Sequence, residues 1–154
     1  MKEQESDLLA KLVEQSAKVR RDRIPWVTFT DPELAQVGLT EAAAKRRGQA
    51  IRIARWPYYD NDRAQAERAT RGHIKVVTSL RGQILGATIV GAAAGELIAT
   101  WALAIQHGLD IGAVAGLVLP SPTLAEIGPR AAAVNMASSL TRNVGGRIMQ
   151  WLRR

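Results

Sequence analysis

Apolar and polar positions follow two patterns along this chain, and the first of them is typical of β-strands. Short stretches either alternate apolar with polar side chains or are rich in β-branched and aromatic residues. These stretches predict four strands, at 26–30, 51–56, 73–78 and 84–90. The last two flank a short turn that contains Gly82, a residue free to adopt a positive φ, which predicts a β-hairpin.

The second pattern repeats apolar residues three or four positions apart, which is typical of helices. It predicts helices, several with capping residues at their ends, over 6–22, 40–47, 96–107, 110–116 and 123–140. Gly128-Pro129 interrupts the last helix, because proline lacks the amide donor that an interior position needs. We expect either a kink there or a helix that restarts with Pro129 in its first turn.

Strands followed by a block of helices, with a hairpin at the centre, indicate the fold class. The sequence predicts an α+β fold in which a mainly antiparallel sheet with a central hairpin packs against helices. A chain of 154 residues is long enough for one domain with a substantial core.

Charge and cysteine content narrow the possible functions. The chain has no cysteine, which excludes a disulfide scaffold, a thiolate metal site and a cysteine nucleophile within it. The formal net charge is +7, yet between Arg81 and Arg130 there is no lysine or arginine and only three acids, Glu96, Asp110 and Glu126. Such a nearly uncharged block supplies either the core or a surface that a partner covers.

The familiar cofactor and metal motifs are absent from the sequence. It contains neither a GxGxxG dinucleotide fingerprint nor a GxxxxGK[ST] phosphate loop, and 91–95 is interpreted as a tight strand-to-helix turn. The two histidines, His73 and His107, are far apart in sequence, so no metal site is expected. Asp60-Asn61-Asp62 lacks the Gly and Glu of a calcium loop and is interpreted as a solvated turn.

Several ordered stretches nevertheless resemble one protein family. They are 24–38 (IPWVTFTDPELAQVG), 61–64 (NDRA), 84–91 (ILGATIVG), 94–98 (AGELI) and 122–126 (PTLAE). Together they resemble the C-terminal dimerisation domain of the FAD-dependent pyridine nucleotide–disulfide oxidoreductases, a family that includes dihydrolipoamide dehydrogenase and mercuric reductase. The resemblance covers residues 24 to about 137.

The resemblance implies a division of the chain and a set of partners. Residues 1–23 would be an N-terminal helix or linker, 24–140 the dimerisation domain and 141–154 a basic tail. The domain would form a homodimer and join upstream FAD and NAD(P) domains. It would bind no cofactor and carry out no catalysis alone, and FAD and NAD(P) would belong to the full-length enzyme.

One loop departs from the family's pattern. Family members usually place a histidine directly before Pro-Thr and pair it with a glutamate four positions after the proline. Here Ser121 stands at the histidine position, Pro122 follows, and Glu126 stands at the glutamate. The resemblance implies that Ser121 and Pro122 face the partner's flavin and that Glu126 is the remnant of a catalytic pair. A serine hydroxyl does not exchange protons near neutral pH as imidazole does, so reduction of ordinary disulfides is in doubt.

Other interpretations stay open at this stage. Thr123 and Glu126 have the spacing of a capping box, which would give Glu126 a purely structural role. The parent enzyme could act on a substrate other than a disulfide. The basic clusters of 18–23 and 142–154 suggest binding to nucleic acid or an anionic membrane surface, but charge runs are usually solvated, so neither partner is expected. The polar, acidic N-terminus favours a cytoplasmic location.

Overall fold

The computed structural model describes residues 23–138, in which the predicted α+β class is confirmed. The strands are β1 (Trp26–Thr28), β2 (Glu33–Gly38), β3 (Ile51–Pro57), β4 (His73–Ser79) and β5 (Ile84–Gly91). The helices are α1 (Glu41–Arg46), α2 (Asp62–Ala66), α3 (Ala94–Gln106), α4 (Ile111–Ala115) and α5 (127–138). Single 3₁₀ turns precede α2 and α5, at Tyr58–Asp60 and Leu124–Glu126.

The five strands form one antiparallel sheet in the order β1-β2-β5-β4-β3. The predicted hairpin lies near its centre, and Gly82 in its turn has a φ of +92°. One face of the sheet carries small and branched side chains, and α3 packs across β2 and β5 on that face. Trp101 of α3 is 2% exposed and lies against Gly128 of α5, which joins both helices to the same core.

The opposite face of the sheet is more polar. Glu41 of α1 binds Lys45 at 2.8 Å, Arg55 at 3.1 Å and Lys75 at 3.4 Å there. The hydrogen bond from Lys45 is the main cause that lowers the pKa of Glu41. The two faces therefore differ in character: α3 covers an apolar face, whereas α1 packs on part of the other face beside a cluster of charged side chains.

Two sequence predictions need correction or refinement. Strand β2 was not predicted, because Glu33–Gly38 includes glutamate, alanine and glycine, which are poor strand formers. Its pairing with β1 and β5 on both sides holds it in the sheet. For the last helix, the chain turns once at Leu124–Glu126 and then restarts, with Pro129 in the first turn of α5.

Some predictions fall on residues that the structure does not describe. The helix predicted over 6–22 and the basic tail at 141–154 lie outside residues 23–138, as does the predicted end of the last helix. Within the described range, no helix is both long enough and apolar enough to cross a membrane.

Candidate functional site

The segment between α4 and α5 contains every residue that the sequence singled out as a candidate site. It leaves α4 in an extended conformation and ends in the 3₁₀ turn at Leu124–Glu126. Val118 is 97% exposed, whereas its neighbour Leu119 is half-buried. Ser121 and Pro122 are both exposed, and the peptide bond between them is cis. The segment therefore presents an apolar side chain and the Ser-Pro pair to the outside.

Glu126 has a local structural role in this segment. The Thr123 N–H donates to Glu126 Oε2 at 2.9 Å, and the two residues form a capping box. The Thr123 hydroxyl also donates to the Pro120 carbonyl at 2.9 Å. The bond to Glu126 satisfies the backbone N–H of Thr123, which the start of a helical turn leaves unpaired, and the bond to Pro120 holds the Thr123 side chain. The capping interpretation of Glu126 therefore matches the geometry.

Asn61 ties this segment to the rest of the fold. Its side-chain Oδ1 accepts from the Ala64 N–H at 2.9 Å and caps α2. Its Nδ2 donates to the Thr123 carbonyl at 3.0 Å, across 62 positions of sequence. Asn61 is 5% exposed, so the interpretation of 60–62 as a solvated turn is wrong for this residue. Burying a side-chain amide costs free energy unless both its oxygen and its nitrogen are hydrogen-bonded, as they are in Asn61.

Tyr58 supports Asn61 from the preceding 3₁₀ turn. It is fully buried, and its hydroxyl donates to the Ala92 carbonyl at 2.9 Å. Burial, and secondarily the negative charge of Glu33, raises the pKa of Tyr58 far above its ordinary value, so the hydroxyl stays a donor. Gly91 lies directly beneath the ring: a Cβ at this position would lie 2.3 Å from Tyr58 Cζ.

Glu33 of β2 caps α3 from a distance. The residue at the N-cap position, Ala93, has a φ of +56° and supplies no side-chain acceptor. Instead, Glu33 Oε2 accepts from the Gly95 N–H at 2.9 Å. A carboxylate is favoured at this place because the first turn of a helix has unpaired N–H groups and a partial positive charge. The turn predicted at 91–95 is confirmed, and Glu33 is the acid that completes it.

Removing this cap is expected to cost a measurable part of the stability. Glu33→Ala should lower the free energy of unfolding by about 1–2 kcal/mol, the range for loss of a helix cap. Glu96→Ala is the matched control, since Glu96 lies exposed in the same first turn and should cost about 0.5 kcal/mol or less. Urea denaturation followed by circular dichroism measures both, and equal losses would contradict the capping role.

The structure brings the predicted site residues together in one segment and shows two structural residues that the sequence did not reveal. Ser121, Pro122 and Glu126 lie in one segment, with the first two exposed and the Glu126 carboxylate bonded to the backbone. Sequence reasoning missed the roles of Asn61 and Glu33, although the spacing of Asn61 before a helical turn is a capping signal. Among residues 23–138, no three metal-binding side chains come together.

Comparison with known proteins identifies the domain. The family model for the pyridine nucleotide-disulphide oxidoreductase dimerisation domain matches residues 24–132. Dihydrolipoyl dehydrogenase of Bacillus subtilis is 41% identical over 118 residues, which cover 76% of this chain and 25% of that relative. Dihydrolipoyl dehydrogenase of Trypanosoma brucei brucei is 40% identical over 109 residues, 70% of this chain and 23% of the relative. The chain therefore spans about a quarter of the length of these curated relatives.

Solved structures agree with the sequence comparisons. LpdA from Mycobacterium tuberculosis superposes with a TM-score of 0.71 at 27% identity, over 75% of this chain and 25% of that one. The flavoprotein disulfide reductase RclA from Escherichia coli, at 24% identity, shares the fold with a TM-score of 0.70 over 73% of this chain and 26% of its own. With the fold, the ordered motifs and the family match in agreement, this chain belongs to the pyridine nucleotide-disulphide oxidoreductases and carries their dimerisation domain.

Proposed function

We propose that this domain holds two copies of the chain together as a homodimer within a flavin-dependent NAD(P)H oxidoreductase. The observation that carries the proposal is Val118, which is 97% exposed and lies within the nearly uncharged block. An isolated exposed apolar residue needs no explanation, but Leu117 and Leu103 are also exposed, at 41% and 57%. Leu117 and α3 line one small cavity, so these apolar side chains lie on neighbouring elements.

The distribution of charged and apolar side chains over the surface supports the side with Val118 and Leu103 as the dimer contact. Leu103 lies on the outer surface of α3, away from the sheet face that α3 covers. The opposite sheet face carries Glu41, Lys75 and Arg55, and burying these charges against a partner would cost their hydration. Stable interfaces concentrate apolar side chains at their centre and leave charged ones at the rim. The side of the domain that α3 covers therefore suits a self-association surface better.

A charge placed in this surface should separate the two copies. Val118→Asp is expected to weaken the dimer at least ten-fold, because a buried, unpaired carboxylate costs more than the 1.4 kcal/mol that a factor of ten represents. The free energy of unfolding of the monomer should stay unchanged, since Val118 touches little of its own chain. Sedimentation velocity across micromolar concentrations measures the association.

Phe29→Asp is the matched control for this experiment. Phe29 is 84% exposed but lies after β1, outside the uncharged block. The same charge placed there should leave the dissociation constant within about two-fold, since it falls outside the proposed contact. A wild-type chain that sediments as a monomer at tens of micromolar would contradict the proposed homodimer. Dissociation by Phe29→Asp alone would contradict its location.

The Ser-Pro segment would then contribute to a composite site. We propose that FAD and NAD(P) bind to further domains of the longer enzyme and that Ser121 and Pro122 face the flavin of the partner. Both residues are exposed, so the described residues offer one wall of such a site and not an enclosed pocket. Glu126 is engaged by the Thr123 amide at 2.9 Å, which supports a positioning role for it in this loop.

Ser121 also bears on the substrate of the longer enzyme. Because a serine hydroxyl does not shuttle protons near neutral pH, the loop lacks the acid and base that disulfide reduction by the family's usual route requires. We therefore propose a substrate other than an ordinary disulfide. A cytoplasmic location stays a prediction, which cell fractionation would check.

A further inference from the structure

A cleft of about 330 Å³ opens beside the turn that joins β4 and β5. It lies where β3, the β4–β5 turn, the start of α4 and α5 meet, and its lining includes Arg52, Arg81, Asp110 and Asn135. The Ile111 N–H donates to the Gly82 carbonyl at 2.8 Å, which fixes the turn against α4. The cleft is therefore built from regular, mutually bonded elements, and its volume lies within the range of small-molecule sites.

Two donors in the wall of this cleft have no partner among the described residues. Asn135 is 1% exposed, and its Oδ1 accepts from the Thr78 hydroxyl at 3.3 Å, but its Nδ2 has no hydrogen-bond partner. Arg52 Nε is also buried and unpaired. Arg52 lies directly opposite Thr78 in the β3–β4 pair, and the Thr78 hydroxyl bonds to Asn135. The two unpaired donors, Arg52 Nε and Asn135 Nδ2, therefore belong to the same wall. Buried donors are nearly always bonded, so a wall with two unpaired ones indicates a missing acceptor.

The charges around the cleft select the kind of acceptor. Arg52 and Arg81 supply two guanidinium groups, and neither makes a salt bridge within residues 23–138. The acid that lines the cleft, Asp110, already accepts from the Ala113 N–H at 3.1 Å as the cap of α4. Guanidinium and amide donors together match the oxygens of phosphate and carboxylate groups.

We propose that this cleft binds a small molecule through a phosphate or carboxylate group, held by Arg52, Arg81 and Asn135. The oxyanion supplies the acceptor that Arg52 Nε and Asn135 Nδ2 lack. Glycines at 82 and 112 line the same cleft, so backbone rather than bulky side chains borders it there. The site is separate from the proposed dimer contact at Val118 and does not depend on it.

Titration with inorganic phosphate tests the site directly. In the complete chain, phosphate should shift the side-chain resonances of Asn135 Nδ2 and Arg52 Nε in ¹⁵N spectra and raise the midpoint of thermal unfolding. Sodium chloride at equal ionic strength is the reference, and sodium acetate is the carboxylate arm. A larger response to phosphate than to acetate assigns a phosphate group, and the reverse assigns a carboxylate. No response to either beyond that to chloride overturns the proposal.

Variants locate the response within the cleft. Arg81→Gln, at an exposed position in the turn, should weaken binding about ten-fold without affecting folding, and Arg52→Gln should weaken it at least as much. Arg55→Gln is the matched control, because it removes the same charge from the opposite face of β3, where Arg55 binds Glu41. An equal phosphate affinity in wild type, Arg81→Gln and Arg52→Gln would overturn the site. A loss as large in Arg55→Gln would assign the binding to general charge and overturn it too.

Discussion

Gly91→Ala is expected to lower the free energy of unfolding by about 3 kcal/mol, at the upper end of the usual cost of overpacking a core. The added Cβ would lie 2.3 Å from Tyr58 Cζ, well inside van der Waals contact. The ring cannot move aside easily, because its hydroxyl donates to the Ala92 carbonyl at 2.9 Å and the backbone N–H of Tyr58 donates to the Gly72 carbonyl at 3.0 Å. A loss of this size is a large fraction of a typical domain's stability, so urea denaturation will resolve it clearly.

Gly91 has a φ of +155°, so backbone strain adds to the clash, and two further variants separate these two causes. Gly48→Ala is the control for backbone strain, since Gly48 has a φ of +66° and a Cβ there meets nothing within 4 Å. Gly48→Ala should lower the free energy of unfolding by only about 1–2 kcal/mol, because alanine is less favourable than glycine in the left-handed conformation. Gly91→Ala should cost less in a Tyr58→Leu background than in the wild type, because the ring that the Cβ meets is then gone; Tyr58→Leu alone is the reference, since it removes a buried, hydrogen-bonded ring. Equal costs at Gly91 and Gly48, together with the same cost of Gly91→Ala in both backgrounds, would contradict this account.

Local signals in the sequence were sufficient for much of the fold. The β4–β5 hairpin was predicted from two apolar runs around Gly82, and α3 from an apolar stripe that includes Trp101. The caps supplied by Thr40 and Asp110 follow from the same local spacing, and both form at 3.1 Å. Elements of this kind form through residues that are close in sequence, so the sequence alone is enough to predict them.

Features that depend on distant partners were not predictable in this way. Strand β2 has few strand-forming residues and exists because it pairs with β1 and β5. Glu33 caps a helix that begins 61 positions later in the chain, and that bond exists only in the folded state. For the candidate site, the resemblance identified Ser121, Pro122 and Glu126, but the tether from Asn61 to Thr123 appeared only in three dimensions.

That tether leads to the second large effect that we expect. Asn61→Ala should lower the free energy of unfolding by about 2–3 kcal/mol, since it removes a helix cap and leaves the Thr123 carbonyl without its donor. Thr40→Ala is the matched control, because it removes a cap of the same kind from α1 without a distant partner, and should cost about 1 kcal/mol. Urea denaturation measures both variants.

Asn61→Ser separates the two roles of the asparagine. Serine caps helices as well as asparagine does, but its side chain is too short to reach the Thr123 carbonyl, so only the tether is lost. We expect faster amide hydrogen exchange at residues 123–127 in Asn61→Ser and Asn61→Ala, with exchange in Thr40→Ala unchanged there. Because Thr123 directly follows Ser121-Pro122, a loosened tether would move the exposed pair that we place at the composite site. Wild-type exchange at 123–127 in Asn61→Ser would show that the segment is held by the Thr123–Glu126 capping box alone.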